Sequence, residues 1–164
     1  YDIQCAMYVL GKFLAKKGMI LRSGGANGAD AAFEMGCDMM SGKKEIYLPW
    51  KGFNSHTSPL CEVQQEAFDL AQEFHPAWHL YSPSVKKLHA RNCYQILGAD
   101  LNTPSSFVIC WTPDGKDVGG TRTAIVLARH CNIPVFHLTD HNLQQIMDWV
   151  NHEHSKNQLV DQET

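Results

Sequence analysis

The clearest chemical signal lies between Leu21 and Asp30, in Leu-Arg-Ser-Gly-Gly-Ala-Asn-Gly-Ala-Asp. Gly24, Gly25 and Gly28 let a backbone turn tightly and approach a ligand with no side chain in the way. The apolar run Met19-Ile20-Leu21 precedes them and a segment with helical spacing follows, so the stretch reads as strand, glycine turn and helix start. The first N–H groups of a helix and its dipole attract an anion. Ser23, Gly24, Gly25, Ala26, Asn27 and Gly28 are therefore candidate ligand-binding residues. The order Gly-Gly-x-x-Gly matches neither the dinucleotide fingerprint nor the lysine-containing phosphate loop. A purely structural turn would look the same. Asp30 and Glu34, four apart on one helical face, are a candidate catalytic carboxylate pair, although Asp30 also suits a ribose hydroxyl or its own helix cap.

Further candidates follow along the chain. Pro49 to Asn54 forms a loop in which Trp50 and Phe53 can stack on a ring and Lys51 can meet a phosphate; the aromatics can equally cap a core. Arg91, Asn92 and Gln95 cluster on one side of a helical segment, offering donors and acceptors to a polar ligand, or else forming a solvated face. Beyond the apolar run Ser106–Trp111 come Thr112 and then Val118-Gly119-Gly120-Thr121, a second strand, glycine turn and helix start. Two such turns at the ends of neighbouring parallel strands face one crevice. Gly119, Gly120 and Thr121 would hold phosphates there, with Trp111 as a stacking face. No metal site is expected: His75 and His79 are four apart, but Pro76 interrupts their helix.

These residues need a scaffold, and the pattern supplies one. Ile3, Ala6, Met7, Leu10, Phe13 and Leu14 make a helical stripe closed by Gly18. Strands are expected at 19–22, 45–48, 106–111 and 133–138. The run 106–111 is apolar throughout, the mark of a central parallel strand buried on both faces. Helices are expected at 29–40, from the Ser58-Pro59 start to His75, from Ser82-Pro83 to Leu97, from Thr121 to His130, and from Thr139 or Asp140 to about 151. The tail 152–164 is expected to be loose. The alternation implies an α/β fold with a mainly parallel sheet and helices on both faces. Such folds usually open with a strand, whereas the sequence starts almost directly in a helix, so a segment upstream of Tyr1 is expected to be missing.

The 164 residues, 44% hydrophobic, fit one domain, taken as 1–151. A net charge of −3 argues against duplex DNA or an anionic membrane as partner. No run of 18 apolar residues occurs and no signal pattern opens the sequence, so a soluble cytoplasmic protein is expected. None of the six cysteines stands in C-x-x-C spacing, and buried reduced thiols are the expectation.

Together, Ser23-Gly24-Gly25-Ala26-Asn27-Gly28-Ala29-Asp30 and Gly119-Gly120-Thr121 resemble the Rossmann-like SLOG superfamily, which includes DprA and the LOG phosphoribohydrolases. The likeness spans about Leu10 to Leu138, and Leu48–Asn54 and Arg91–Gln95 look especially close to small phage and bacterial members. It implies a three-layer Rossmann-like sandwich and a nucleotide-derived ligand of the ADP-ribose, NAD-related or cyclic-nucleotide kind, held without a further cofactor in the crevice between the two turns. LOG hydrolases carry a glutamate that acts on the ribosyl bond in Pro-Gly-Gly-x-Gly-Thr-x-x-Glu. Here Ala124 stands at that position. The resemblance therefore implies a binder, such as a sensor or a phage-encoded sponge for an immune signal in the bacterial cytoplasm, assembled as a homo-oligomer. Two alternatives stand beside it: an N-glycosidase using Asp30 or Glu34, and a DprA-like single-strand DNA protein, which the acidic balance disfavours.

Overall fold

The computed structural model describes residues 2–116 and 119–160, with backbone only for 157–160. Val118, expected in the second turn, and residues 161–164 of the expected tail lie outside the described residues. The first helix, α1 (Ile3–Lys16), is capped by Asp2, whose carboxylate accepts the N–H groups of Gln4 and Cys5 at 3.0 and 3.3 Å. Gly18 ends it at a φ of 79°, beyond reach of most side chains. The chain reverses through Met19 and Ile20 into β1 (Leu21–Ser23), passes the first glycine turn, and enters α2 (Ala29–Asp38). Helices α1 and α2 cross where glycine faces backbone: a Cβ on Gly11 would stand 2.5 Å from the Phe33 carbonyl, and one on Gly36 would collide with the Tyr8 carbonyl.

Next comes β2 (Lys44–Ile46), parallel to β1 with Leu21 opposite Lys44 and Ser23 opposite Ile46. The helix expected from Ser58-Pro59 starts later, as α3 (Gln65–Glu73). Ser58 is engaged elsewhere: its hydroxyl donates to the Ile46 carbonyl at 2.6 Å, and Leu48 N–H meets the Leu60 carbonyl at 2.7 Å, so 58–60 lies alongside the end of β2. The second Ser-Pro pair behaves as expected, with Ser82 capping α4 (Pro83–Leu97) and Gly98 closing it at φ 76°. Then follow β3 (Val108–Cys110), 3₁₀ turns at Pro113–Gly115 and Gly119–Thr121, α5 (Arg122–His130), β4 (Val135–His137) and α6 (Leu143–Val160). Helix α6 runs on past His152, so the stretch read as loose tail is helical as far as Val160.

The protein is thus a mixed α/β structure with six α-helices among the described residues. Its strands do not form the one sheet expected. They make two separate parallel pairs, β1 with β2 and β3 with β4. One hydrophobic cluster joins α1, α2 and α6 through Met7, Leu10, Phe33, Ile146 and Val150; another joins α3, α4 and α5 through Ala67, Ala71, Cys93, Leu127 and Ala128. Strand β3 contributes to both, with Ile109 against the first and Val108 against the second. Yet Val108 and Ile109 are only half-buried, because β3 is paired on one side alone. None of the six cysteines forms a disulfide, and Cys37, Cys93 and Cys110 are buried. No described helix is long and apolar enough to cross a membrane.

The glycine crossing gives a direct test. Gly36→Ala forces α1 and α2 apart and is expected to destabilise the fold by about 1–3 kcal/mol, read as a lower urea midpoint; Gly28→Ala, where a Cβ meets open space and only the φ of 89° opposes it, is expected to cost less.

Candidate functional site

The two glycine turns meet at one cavity. It occupies about 690 Å³ and runs between β1 and β3, under α1 and α2 on one side and α4 on the other. At the carboxyl end of the strands its mouth is formed by Ser23, Ala26 and Asp30 from the first turn, Arg91 and Asn92 from α4, and Trp111, Gly120 and Thr121 from the second, while Gln95 lines the cavity one turn further along α4, towards the start of β3.

Helix α4 holds the two turns in place. Arg91 donates from its guanidinium to the Gly24 carbonyl, to the Tyr47 carbonyl at 2.9 Å and to Asn92 Oδ1 at 3.0 Å, and lies 5.5 Å from the centre of the Phe53 ring. Asn92 in turn donates through Nδ2 to the Gly120 carbonyl. Neighbouring residues on one helix thus grip one turn each. Arg91 and Asn92 are both 5% exposed, so the solvated-face reading of this segment does not hold. Burial holds the Arg91 guanidinium below its ordinary value, with the charge of Asp30 pulling the other way.

Asp30 closes the first turn from within. Its Oδ2 accepts the N–H groups of Gly24 at 3.2 Å and Ala26 at 3.1 Å, while Asn54 Nδ2 donates to the Gly25 carbonyl at 3.0 Å. Two amides expected to meet a phosphate are therefore already satisfied by a carboxylate. The second turn differs. A 3₁₀ turn, Gly119–Thr121, runs straight into α5, the Thr121 side chain makes no cap hydrogen bond, and a Cβ on Gly120 would meet nothing within 4 Å.

Other candidates stand apart from the mouth. Glu34 is bound to Lys44 Nζ at 2.7 Å and His56 Nε2 at 2.9 Å; burial raises its carboxyl, but those hydrogen bonds outweigh it and leave it below its ordinary value. It does not line the cavity, so Asp30 and Glu34 face different surroundings. Trp50 packs edge-on to Phe53 at 5.2 Å, and it is Phe53 that lines the cavity. Lys51 and Asn27 are exposed, Gly24 and Gly25 are buried behind the turn, and Gly28 and Gly119 supply positive φ without lining the cavity. Thr112 is buried, donating to the Lys116 carbonyl at 2.6 Å and bonded to His137 Nε2 at 2.8 Å. Among the described residues no group of three His, Cys, Asp or Glu could hold a metal ion.

A second polar cluster was not legible in the sequence. Thr123 Oγ1 sits between His75 Nε2 at 2.6 Å and His89 Nδ1 at 2.8 Å, with the two imidazole rings 4.1 Å apart and Tyr81 stacked on His89. The three groups come from an interhelical turn, α4 and α5, separations no local pattern reveals. Burial pushes both imidazoles below their ordinary value, His89 to about 4. In the unfolded chain both titrate near ~6.5. The unfolded state therefore binds more protons between about pH 6.5 and 4, and this contribution to stability, complete above that window, declines as pH falls through it. Urea melts across the window are expected to show that slope, and His89→Gln, which keeps a hydrogen-bonding group near Thr123, is expected to flatten it.

No known protein family matches the chain, and neither a curated protein nor a solved structure matches it.

Proposed function

We propose that the protein binds a nucleotide-derived small molecule of the ADP-ribose, NAD-related or cyclic-nucleotide class at the mouth of this cavity. The observation that carries the reading is the convergence of both glycine turns on one cavity, each gripped by a neighbouring residue of α4. The two turns have different tasks. Gly120, Thr121 and the start of α5 receive the phosphates, since the positive end of the helix dipole favours negative charge there. Asp30 repels an anion and suits a ribose hydroxyl instead. Trp111, 40% exposed at the rim, offers a stacking face for a base.

Holding rather than cleaving is the preferred activity. Asp30 is the one acid of the proposed pair at the mouth, and its Oδ2 is engaged by two amides. A general acid or nucleophile needs access to the reacting bond. Retention without turnover suits a sensor or a sink for a signalling nucleotide, in a Rossmann-like domain of the SLOG kind that works in the cytoplasm, including as a phage product, and assembles with copies of itself.

Titration calorimetry with ADP-ribose, NAD and cyclic dinucleotides tests the reading, with chromatography of the recovered ligand to separate retention from cleavage. Gly120→Glu has open space at its Cβ and sets a carboxylate where a phosphate would lie. It is expected to weaken binding at least ~100-fold, about 2.7 kcal/mol, with an unchanged urea midpoint. Unaltered affinity in that variant places the ligand elsewhere; chemical conversion of recovered ligand transfers the reading to a hydrolase.

A further inference from the structure

Behind the mouth, the body of the cavity is a slot walled by two strands. Met19 to Arg22 line one side and Phe107 to Ile109 the other. The parallel ladders determine what the walls present. Leu21 N–H bonds the Lys43 carbonyl and the Ser23 carbonyl accepts Tyr47 N–H, so Leu21 and Ser23 face β2. Alternation then turns the peptide N–H and C=O of Arg22 the other way, towards the slot. On the opposite wall Val108 N–H bonds the Pro134 carbonyl and the Cys110 carbonyl accepts Leu138 N–H, which leaves the peptide groups of Ile109 facing the slot. Both pairs thus turn an open edge towards the same space.

Helices cover that space above and below. Gly11, Leu14 and Ala15 of α1 with Phe33 of α2 line one face; Leu88, Asn92 and Ile96 of α4 line the other. Side chains that a middle strand would cover remain open: Ile20 is 52% exposed, and the continuous apolar run of β3, which suits a strand with neighbours on both sides, is half-buried. Ser23 Oγ, also on the lining, is buried with no hydrogen-bond partner.

We propose that the slot seats a further β-strand of about five residues, parallel to β1 and β3, supplied by polypeptide that directly precedes α1. Such a strand takes the Arg22 and Ile109 peptide groups as partners and joins the two pairs into one five-stranded parallel sheet. Topology selects the source. Helix α1 runs antiparallel to β1, into which it feeds through a short turn, so its first residue lies at the carboxyl end of the strands. A parallel strand in the slot ends at that same end, one turn from Asp2. Helix α1, already lying over the slot, becomes the crossover of a β-α-β unit. Alternate side chains of the strand meet the α1/α2 face, which is apolar, and the α4 face, where Leu88 and Ile96 stand beside Arg91, Asn92 and Gln95, so its sequence is apolar on the first side and, on the second, apolar where it meets Leu88 and Ile96. The strand fills the body of the cavity, and its evidence, the two open strand edges, does not rest on what the mouth binds.

The test fuses Thr-Val-Ile-Val-Ile-Gly-Gly to the N-terminus of the chain and follows amide exchange by mass spectrometry, together with the melting temperature. Exchange in segments 19–24 and 106–111 is expected to slow at least ~10-fold and the melting temperature to rise. The same extension with both isoleucines replaced by proline, which lacks the N–H and cannot pair, is expected to give neither change. Equal behaviour of the two extensions overturns the proposal, as does protection confined to segments containing β2 and β4. A third arm adds the apolar peptide as a separate molecule: protection there without protection in the fusion overturns the assignment to the polypeptide preceding α1. Nucleotide binding is read in neither measurement, so the two proposals fail separately.

Discussion

The buried guanidinium of Arg91 is the constraint on which the site depends. A charge this deep is costly unless it is well hydrogen-bonded, and it donates to Asn92 Oδ1 and to two carbonyls, one in the first glycine turn and one in the segment after β2. Those carbonyls would themselves be orphaned without it. The consequence is geometric: the Gly24 turn cannot move without stranding a cation, and α4 cannot shift without stranding the turn. Asn92, one residue on, extends the same constraint to Gly120. One helical segment thereby sets the separation of two loops far apart in the chain.

Within that frame the two turns are not equivalent, although their sequences suggest a matched pair. Asp30 lies in the first turn of α2 and reaches back to Gly24 and Ala26, as an internal anion would. Among the described residues, no carboxylate is seen to accept the Gly120 or Thr121 amides in the way Asp30 accepts those of Gly24 and Ala26. The proposed placement of a phosphate at Gly120 and Thr121 rather than beside Asp30 rests on the repulsion between a carboxylate and a phosphoryl group at short range.

The two cores explain why the strands can stand apart. Helices α1, α2 and α6 bury their stripes against one another, and α3, α4 and α5 do the same on the other side, with close contact at Gly11 and Gly36 and at the alanines of α3 and α5. Each parallel pair is anchored to these helices more than to its neighbour. The slot between β1 and β3 is where the helical layers are bridged by space instead of backbone, and its open peptide groups are what an added strand would satisfy.

Local chemistry alone fixed much of this protein. Periodicity located α1, α2, α4, α5 and α6, because a helix buries a stripe whose spacing is set by its own geometry; the glycine turns were legible because few other residues allow their backbone. Ser82 was readable as a cap, while the identical Ser58-Pro59 was not, since its hydroxyl goes to a carbonyl on another element. The pairing of strands into two units, the burial of Arg91 and Asn92, the diversion of Glu34 to Lys44 and His56, and the His75–Thr123–His89 cluster were settled only in three dimensions. Each rests on partners distant in sequence, and a side chain that can face water or carbonyls does not reveal from its own neighbours which of the two the fold will bring to it.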